Sequence, residues 1–397
     1  PGFASQADLA SLFVERARDL LSPAGTLGFL LPAKLWRSLS GGGCRRVLSL
    51  DMRVAAVEDC SDAPPAFDAA VYPSMLVATR DARRTMPASL LGVYRRGDVT
   101  RWRASWHDVA LDGSPGSPWL LVPPEVRAAF DRVERAGAPL GRSPFGRPWL
   151  GVKSGCNAAF VVHWLGESDG IARITDGERT GEIEASMLRP LVRGETLTAW
   201  RANGSAEQIL WTHDDRGPVR ALPPGAARWL AVHRRTLERR SDARGAGRWW
   251  SLFRTESADC GRARVVWSDF GRRPRAAVLA AGDPMVPLNT CYTIPCPSHQ
   301  DALALAALFN SPLAAAWLAV LAEPARGGYR RFLGWTMARF PLPADWPRAR
   351  ALLAPLAESA LRGDVPSSVA LQNAALAAYR LRPDVISPLL EWMEAGA

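Results

Sequence analysis

The sequence predicts a mixed α/β protein: half of a doubly wound sheet, then a second mixed α/β region of short strands, then a helical tail. The first part is indicated by a helix with apolar residues at helical spacing over 7–22, the apolar run TLGFLLP, and a second helix over roughly 33–50. The runs MRVAAVEDC and AAVYPSMLVATR are typical of two closing strands. This succession of helices and strands is that of an α/β sheet.

Changes in composition along the chain predict four segments. A hairpin is expected over 89–103 with its turn at Gly97 and Asp98, and the cluster DGSPGSPW is typical of a linker. Short strands, Trp-rich segments and Arg runs follow, with one amphipathic helix near 299–322, and the tail is rich in Ala and Leu. TLGFLLP is expected to be a fully buried strand. The predicted segments are 1–110, 111–150 (linker and connecting helix), 151–345 and 346–397.

Overall composition is that of an ordinary folded domain, with 48% hydrophobic and 22% charged residues among 397. No apolar run approaches the length of a membrane span. Six cysteines without a C-x-x-C pair and five scattered histidines favour a reduced, cytoplasmic protein over a disulfide scaffold or zinc site. The opening PGFASQADLASL has neither an initiator Met nor a signal pattern, and we expect a chain that begins inside a domain.

The positive charge of the chain is concentrated in one region. The net charge is +10, carried by 47 Arg and by only two Lys, Lys34 and Lys153. An arginine-favouring genome explains part of this bias, but it does not explain why residues 228–275 hold 13 Arg against 5 acidic residues. Such a concentration predicts a surface that binds a polyanion.

The stretch GVKSGCNAAFVV, residues 151–162, is polar and glycine-rich before an apolar run. Gly151 and Gly155 allow a polyanion to approach the backbone, and Lys153 and Ser154 can donate to phosphate. Asn157 can donate to phosphate or pair with a base edge. The alternative is a glycine-rich hairpin entry with a solvated lysine.

Two further stretches supply candidate phosphate contacts. RPLVRGETLTAW contains Arg189 and Arg193, although Arg193 could instead pair with Glu195 or another acid. The stretch HRRTLERRSDARGAGRWWSLFR contains a tryptophan pair that could stack on a base or belong to the core, and its composition favours the core. Its candidates are Arg234, Arg235, Arg239, Arg240, Arg248, Trp249, Trp250 and Arg254.

The ordered set of segments resembles the N6-adenine DNA methyltransferases of the TaqI-like branch, which includes type IIG restriction-modification enzymes. DLASLFVERARDLLSPAGTLGFLLPAKLWRS and AFDAAVYPSMLV are similar to the second half of that family's catalytic domain. GVKSGCNAAFVV, LRPLVRGETLTAW, NTCYTIP, ALFNSPLAAAWL and RFPLP are similar to successive blocks of its target-recognition domain. The resemblance implies a partial Rossmann-like methyltransferase sheet followed by a TaqI-like specificity domain.

Two hallmarks of the family are missing from this sequence. The Gly-rich turn that binds S-adenosylmethionine has no counterpart, since GGGC at 41–44 lies between helical patterns. The catalytic Asn/Asp-Pro-Pro-aromatic loop has none either, since APPAF at 63–67 lacks the amide or acid. The resemblance implies that both lie upstream of Pro1, that no cofactor binds this chain alone, and that the isolated chain is inactive.

The resemblance also places an aromatic residue, Phe67, against the flipped target adenine; the alternative is a phenylalanine that caps the sheet. The expected partners are double-stranded DNA and the missing N-terminal half of the same protein. The main alternative is a non-catalytic specificity module that works with a separate catalytic chain. An RNA methyltransferase is a third interpretation.

Overall fold

A computed structural model of the chain describes residues 7–64, 68, 72–81, 89–95, 97–203, 206–240 and 248–396, with the side chain of Arg326 excepted. The first sheet has five strands in the order β1-β3-β2-β4-β5. They are β1 Thr26–Pro32, β2 Arg53–Asp59, β3 Pro73–Thr79, β4 Ser89–Arg95 and β5 Asp98–Ala104.

All five strands lie where the sequence predicts strands, including the hairpin of β4 and β5. Strand β2 runs parallel to β4, and the other neighbouring pairs are antiparallel. The mixed α/β class is therefore confirmed. A doubly wound, Rossmann-like arrangement stays a prediction, because the described strands of this sheet contain a single parallel pair.

Strand β1 is not fully buried, contrary to the sequence prediction. It lies at the edge of the sheet and pairs with β3 alone among the described strands. Leu27 and Leu31 face the core, while Leu30 is 54% exposed. An edge strand covered on one face alternates in burial, and a continuous apolar run conceals that alternation.

The helices of the first part are shorter than the sequence pattern suggests. They are α1 Ala10–Leu20, α2 Lys34–Arg37, α3 Gly42–Asp51 and α4 Trp106–Val109. The single helix predicted over 33–50 is interrupted at Ser38, whose backbone is extended. The Ser38 hydroxyl accepts a hydrogen bond from the Gly41 N–H, at 3.2 Å, and so starts a new turn.

The middle of the chain forms several small sheets. A six-stranded sheet has the order β10-β9-β8-β12-β11-β18, and a four-stranded sheet has the order β17-β15-β19-β7. Smaller sheets are β16-β21-β20, β13-β14 and β22-β6. The strands are β6 Gly137–Pro139, β7 Trp149–Leu150, β8 Val161–Ser168, β9 Ile171–Thr175, β10 Thr180–Glu184, β11 Leu188–Val192, β12 Glu207–Leu210, β13 His213–Asp214, β14 Gly217–Pro218, β15 Arg264–Ser268, β16 Phe270–Gly271, β17 Ala276–Leu279, β18 Val286–Pro287, β19 Cys291–Pro295, β20 Glu323–Pro324, β21 Arg330–Arg331 and β22 Pro341–Pro343.

The remaining helices include the predicted tail. They are α5 Pro124–Arg135, α6 Asn157–Phe160, α7 Pro224–Ala231, α8 Arg234–Glu238, α9 His299–Phe309, α10 Pro312–Leu321, α11 Gly334–Arg339, α12 Trp346–Arg362, α13 Ser368–Tyr379 and α14 Pro383–Glu394. The single amphipathic helix predicted near 299–322 is instead the pair α9 and α10, bent by 67°. The bend lies at Ser311, whose hydroxyl accepts the Ala314 N–H and caps α10.

Helices α9 and α10 are buried on nearly all sides, because they form the centre of the largest apolar core. Within the described residues, no single helix is long and apolar enough to cross a membrane; this bent pair meets the length and composition only when taken together.

The described residues form three buried apolar clusters, two of them large. The larger one joins the first sheet, α5, α9, α10 and the tail helices, so the segments 1–110 and 346–397 share one core. Arg95 donates to the Trp392 carbonyl and lies 3.7 Å above the Trp392 ring, which ties the tail to β4. The second core belongs to residues 152–288. The predicted segment boundaries stay predictions.

Trp317 should contribute strongly to stability. Its ring is fully buried and stacks on Phe130, with 4.6 Å between ring centroids. We expect Trp317→Ala to lower the free energy of unfolding by about 3–5 kcal/mol, because it leaves a large cavity. The matched change Trp164→Ala, at a ring that is 46% exposed, should cost about 0.5 kcal/mol or less. Urea denaturation measures both, and equal losses would contradict the assigned core.

Candidate nucleic-acid interface

The glycines of residues 151–157, here called the glycine loop, are required by packing within the protein. A Cβ atom on Gly151 would lie 1.9 Å from the Leu288 carbonyl oxygen. Gly155 has a φ of +68°, and a Cβ there would lie 2.8 Å from Cδ of Arg240. The sequence argument assigned both glycines to the approach of a polyanion. In the structure, packing inside the protein explains why both positions are glycine, because a larger residue would collide with Leu288 or Arg240.

The polar residues of the glycine loop point in different directions. Ser154 is buried, donates to Oδ1 of Asn157 at 2.6 Å, and accepts from the Cys156 N–H at 3.2 Å. Lys153 and Asn157 are exposed. Ser154 therefore shapes the loop, whereas Lys153 and Asn157 are its polar members at the surface.

Arg240 connects the glycine loop to the tryptophan segment. Its side chain is 7% exposed, and Nη1 donates to the Ser154 carbonyl. Nη2 donates to the carbonyls of Trp249 at 2.8 Å and Ser251 at 3.0 Å. These contacts use its guanidinium inside the protein, so we do not include Arg240 among the surface contacts proposed below.

The other arginines of this stretch divide into engaged and exposed groups. Arg234 pairs with Glu238 at 2.8 Å, and Arg248 donates to the Arg220 carbonyl. Arg235 and Arg239 are exposed on or beside α8. Of the arginines on or beside α8 that the sequence predicts to contact phosphate, Arg234, Arg235 and Arg239 have exposed side chains. Among these three, Arg234 forms an ion pair with Glu238.

Trp249 and Trp250 are half-buried and pack against the second core, which is the alternative that the composition favoured. Their rings meet edge to face at 5.3 Å and 83°. Trp250 Nε1 donates to the Val219 carbonyl at 3.3 Å. Guanidinium groups lie 5.5 Å from each ring centroid, Arg234 at Trp249 and Arg248 at Trp250. Base stacking by this pair stays a prediction.

Arg189 and Arg193 both have partners within the protein. Arg193 forms a two-pronged ion pair with Glu207, at 2.6 and 2.9 Å, which is the alternative interpretation with a different acid than Glu195. Arg189 donates to the carbonyls of Pro284 and Ala258, each at 3.0 Å. Burial lowers the pKa of the Arg189 guanidinium from its usual range, so this charge is held at a cost.

A cleft of about 860 Å³ lies beside the glycine loop, and we call it the arginine cleft. Lys153 and Phe253 exchange two backbone hydrogen bonds of 2.9 Å, which brings the glycine loop next to Arg254. Pro148 and Leu150 extend the cleft wall toward the same loop. The basic residues that line the cleft are Arg142, Arg147, Arg254 and Arg339.

Sequence reasoning found Arg254 but missed the other three arginines of the cleft. Arg142 and Arg147 lie in the stretch that was assigned to a linker, and Arg339 lies in α11. Arg142, Arg147 and Arg254 are exposed, whereas Arg339 pairs with Glu134 at 3.0 Å. These arginines are far apart in the sequence, so no local pattern predicts that they line one cleft. The two arginines at 142 and 147 in a Pro/Gly-rich stretch could nevertheless have indicated a basic surface loop.

Other predicted features are outside the interface or carry no cluster. Phe67 lies outside the described residues. All six cysteines are free thiols. No group of three or more His, Cys, Asp or Glu side chains that could hold a metal ion occurs in the described part of the chain.

Comparisons with known proteins identify the class of protein that carries this fold and basic face. No protein-family model matches the chain. It is 24% identical over 380 residues to the type II methyltransferase M.PaeR7I of Pseudomonas aeruginosa, covering 91% of this chain and 62% of that protein. It is 22% identical over 385 residues to the type II methyltransferase M.XhoI of Xanthomonas vasicola, covering 90% of this chain and 66% of that protein.

A solved structure shows the same fold. The type IIL restriction-modification enzyme MmeI, in complex with DNA, aligns with a TM-score of 0.59 at 12% identity, over 99% of this chain and 53% of that chain. The homologues of this chain are type II methyltransferases, and the resemblance inferred from the sequence is confirmed at that level. The chain spans less than two thirds of the length of these two curated relatives.

Substitution of the adjacent residues Arg239 and Arg240 should change the free energy of unfolding by very different amounts. Arg240→Ala leaves several buried carbonyls without a donor, so we expect it to cost about 2 kcal/mol or more of unfolding free energy. Arg239→Ala removes an exposed side chain and should change stability by about 0.5 kcal/mol or less. Chemical denaturation of both variants measures these free energies. An Arg240→Ala protein of unchanged stability would show that the contacts of Arg240 with the backbone carbonyls are not needed for folding.

Proposed function

We propose that this chain is the DNA-recognition portion of a site-specific DNA methyltransferase from a restriction-modification or related defence system. The intact protein would transfer a methyl group from S-adenosylmethionine to N6 of adenine in duplex DNA. Homology to type II methyltransferases supports the methyl-transfer class. Adenine as the target rests on the resemblance of the ordered sequence blocks to the TaqI-like family.

The observation that carries DNA binding is the meeting of the glycine loop and the arginine cleft. The paired backbones of Lys153 and Phe253 place the glycine loop, with the exposed Lys153, beside the segment that carries Arg254, and Arg254 lines the cleft with Arg142 and Arg147. Cationic side chains grouped around a concave wall match the sign of a phosphate backbone. The fold shared with MmeI, whose structure is in complex with DNA, supports the same partner here.

Exposed groups on α8 extend this basic face in our proposal. Arg235 and Arg239 would contact phosphates, and Asn157, at the start of α6, would contact a phosphate or a base edge. Arg240, Arg193 and Arg189 would support the face from within, because their donors are already engaged. The tryptophan pair would hold α8 on the second core.

The family motifs that hold S-adenosylmethionine support placing its site outside this chain. Arginines line both the arginine cleft and a second cavity, and such walls are unfavourable for the cationic sulfonium of the cofactor. The Gly-rich turn and the catalytic loop of the family are absent from the sequence. We therefore assign cofactor binding and methyl transfer to a catalytic portion outside this chain, and extrusion of the target base, which costs a few kcal/mol, to the two acting together.

The N-terminal edge of the first sheet is the surface that we assign to the catalytic portion. Strand β1 is the last strand of the sheet, and among the described strands it pairs with β3 only. The N–H and C=O groups of its other edge can therefore pair with a further strand. Helix α1 exposes large apolar side chains beside it, with Phe13 68% exposed. The curated relatives are longer than this chain, which favours a catalytic portion in the same polypeptide over a separate chain.

Binding to duplex DNA should depend steeply on salt. We expect the slope of log K against log salt concentration to fall by about 1 for each phosphate contact removed, and thus by about 2 for the double variant Lys153→Gln and Arg254→Gln. Arg382→Gln is the matched control, since Arg382 is exposed and pairs with Asp384 at the start of α14. Fluorescence anisotropy from 50 to 300 mM salt, about the range where release of counterions dominates, gives the slopes. A flat response of the unmodified protein would remove the proposal.

Methyl transfer should require the catalytic portion. The purified chain should incorporate no label from radioactive S-adenosylmethionine into duplex DNA, and a protein that also contains the catalytic portion should incorporate it. Phe13→Asp in that longer protein should lower its free energy of unfolding by about 1.5–3 kcal/mol, because this is what burial of one Phe against the catalytic portion contributes. Val369→Asp is the control, at a side chain equally exposed (68%) on α13. Sustained incorporation by the chain alone would show that we have misplaced the catalytic groups.

A further inference from the structure

Phe270 and Tyr329 form an exposed aromatic pair away from the glycine loop and the arginine cleft. Their rings stack with centroids 4.9 Å apart and planes inclined by 16°, and each residue is 39% exposed. Gly327 and Gly328 precede Tyr329 with φ of +70° and +75°, which is a backbone path that glycine permits. The pair is therefore presented on a defined turn beside the sheet of β16 and β21.

Arginines flank both rings of this pair. The Arg272 guanidinium lies 5.5 Å from the Tyr329 ring centroid, and the Arg331 guanidinium lies 5.8 Å from the Phe270 centroid. Both arginines are exposed. In the described part of the chain, neither is within ion-pair distance of a carboxylate. We call Phe270, Arg272, Tyr329 and Arg331 the aromatic platform.

A cavity of about 720 Å³ adjoins the platform. Four arginines line it, and no Asp or Glu of the described residues does. Arg275 donates to the Gly194 carbonyl at 3.3 Å, and Arg272 and Arg273 are exposed. The lining arginines are Arg272, Arg273, Arg275 and Arg330.

Arg330 is the buried member of this cavity wall. It is 5% exposed, and its Nη1 has no hydrogen-bond partner among the described residues. Burial together with nearby Arg37 and Arg95 lowers the pKa of its guanidinium to about 9. A ligand in this cavity would supply the acceptor that this buried donor lacks.

Acidic neighbours do not cancel this charge. Asp269 and Glu323 are the carboxylates near Arg331, and burial raises the pKa of both. Asp59 and Asp62 lie near Arg330, where burial raises the pKa of Asp62. With Glu195 beside Asp269, five carboxylates of the described residues lie near seven arginines when Arg37 and Arg95 are included, so positive groups outnumber negative ones.

We propose that the aromatic platform and its cavity bind an unpaired nucleotide of the DNA strand, with the base on the rings and the phosphate on the arginines. The proposal rests on the proposed function, because it assumes that the chain binds DNA. Base stacking needs a free π-face, which a base inside a duplex does not offer, whereas an unstacked or single-stranded base does. The cavity volume is in the range of a small-molecule site.

The experiment compares a blunt duplex with the same duplex carrying a five-nucleotide single-stranded tail, by fluorescence anisotropy on the full chain. The unmodified protein should bind the tailed duplex about tenfold more tightly, which is the effect of about one stacked base. The double variant Phe270→Leu and Tyr329→Leu should lose that preference and keep its affinity for the blunt duplex within about twofold. Trp164→Leu removes an exposed ring without flanking arginines and should keep the preference.

Other measurements separate the outcomes. Arg272→Gln should also reduce the preference, without changing the ring pair, and thermal melting confirms that each variant is folded. Equal affinity of the unmodified protein for both duplexes overturns the platform proposal, and salt-dependent blunt-duplex binding would then still support the proposed function. Failure to bind either duplex overturns the proposed function itself. Free dAMP could also abolish the preference for the tailed duplex when it is added at the same concentration as that duplex. This result would assign the cavity to free nucleotides and overturn its assignment to the DNA strand.

Discussion

The guanidinium of Arg240 joins two stretches of backbone, one at Ser154 and one at Trp249 and Ser251, and the packing of the glycine loop depends on these contacts. Burying a cation is unfavourable unless its donors are satisfied, and here carbonyl oxygens satisfy them. The acceptors at these three contacts are backbone carbonyl oxygens, so the guanidinium fixes the course of the backbone there. The same contacts thus order the glycine loop.

Carbonyl contacts of this kind recur in the molecule. Arg45 donates to the Ser117 carbonyl at 2.7 Å, and Arg264 donates to the carbonyls of Ser257 and Asp283, each at 2.9 Å. A guanidinium has five N–H donors in a rigid plane, so one side chain can connect several loops, which a lysine cannot do with the same geometry. Part of the high arginine content is therefore structural, and the net charge of the sequence overstates the charge available to a ligand.

The tail helices hold the two halves of the molecule in one arrangement. Helix α14 packs against α5 and α10, and Arg95 on β4 reaches the Trp392 ring and carbonyl. The first sheet and the C-terminal helices therefore share an apolar core, although they are distant in sequence. A shared core fixes by packing how the first sheet is oriented relative to these helices. A flexible linker would leave that orientation free.

The sequence by itself determined the mixed α/β class, the five strands of the first sheet, the helical tail and the resemblance to methyltransferases. These follow from local periodicity and from the order of short motifs, which need no knowledge of distant contacts. Only the tertiary structure decided that β1 is an edge strand, that the helix near 299–322 is two buried helices, and which arginines are exposed. Arg239 and Arg240 are neighbours of the same residue type. Arg240 is buried because its guanidinium donates to the carbonyls of Ser154 and Ser251, whereas Arg239 is exposed. Likewise, Arg142, Arg147 and Arg254 line one cleft, and Lys153 pairs with Phe253, contacts between distant parts of the chain that no local pattern encodes.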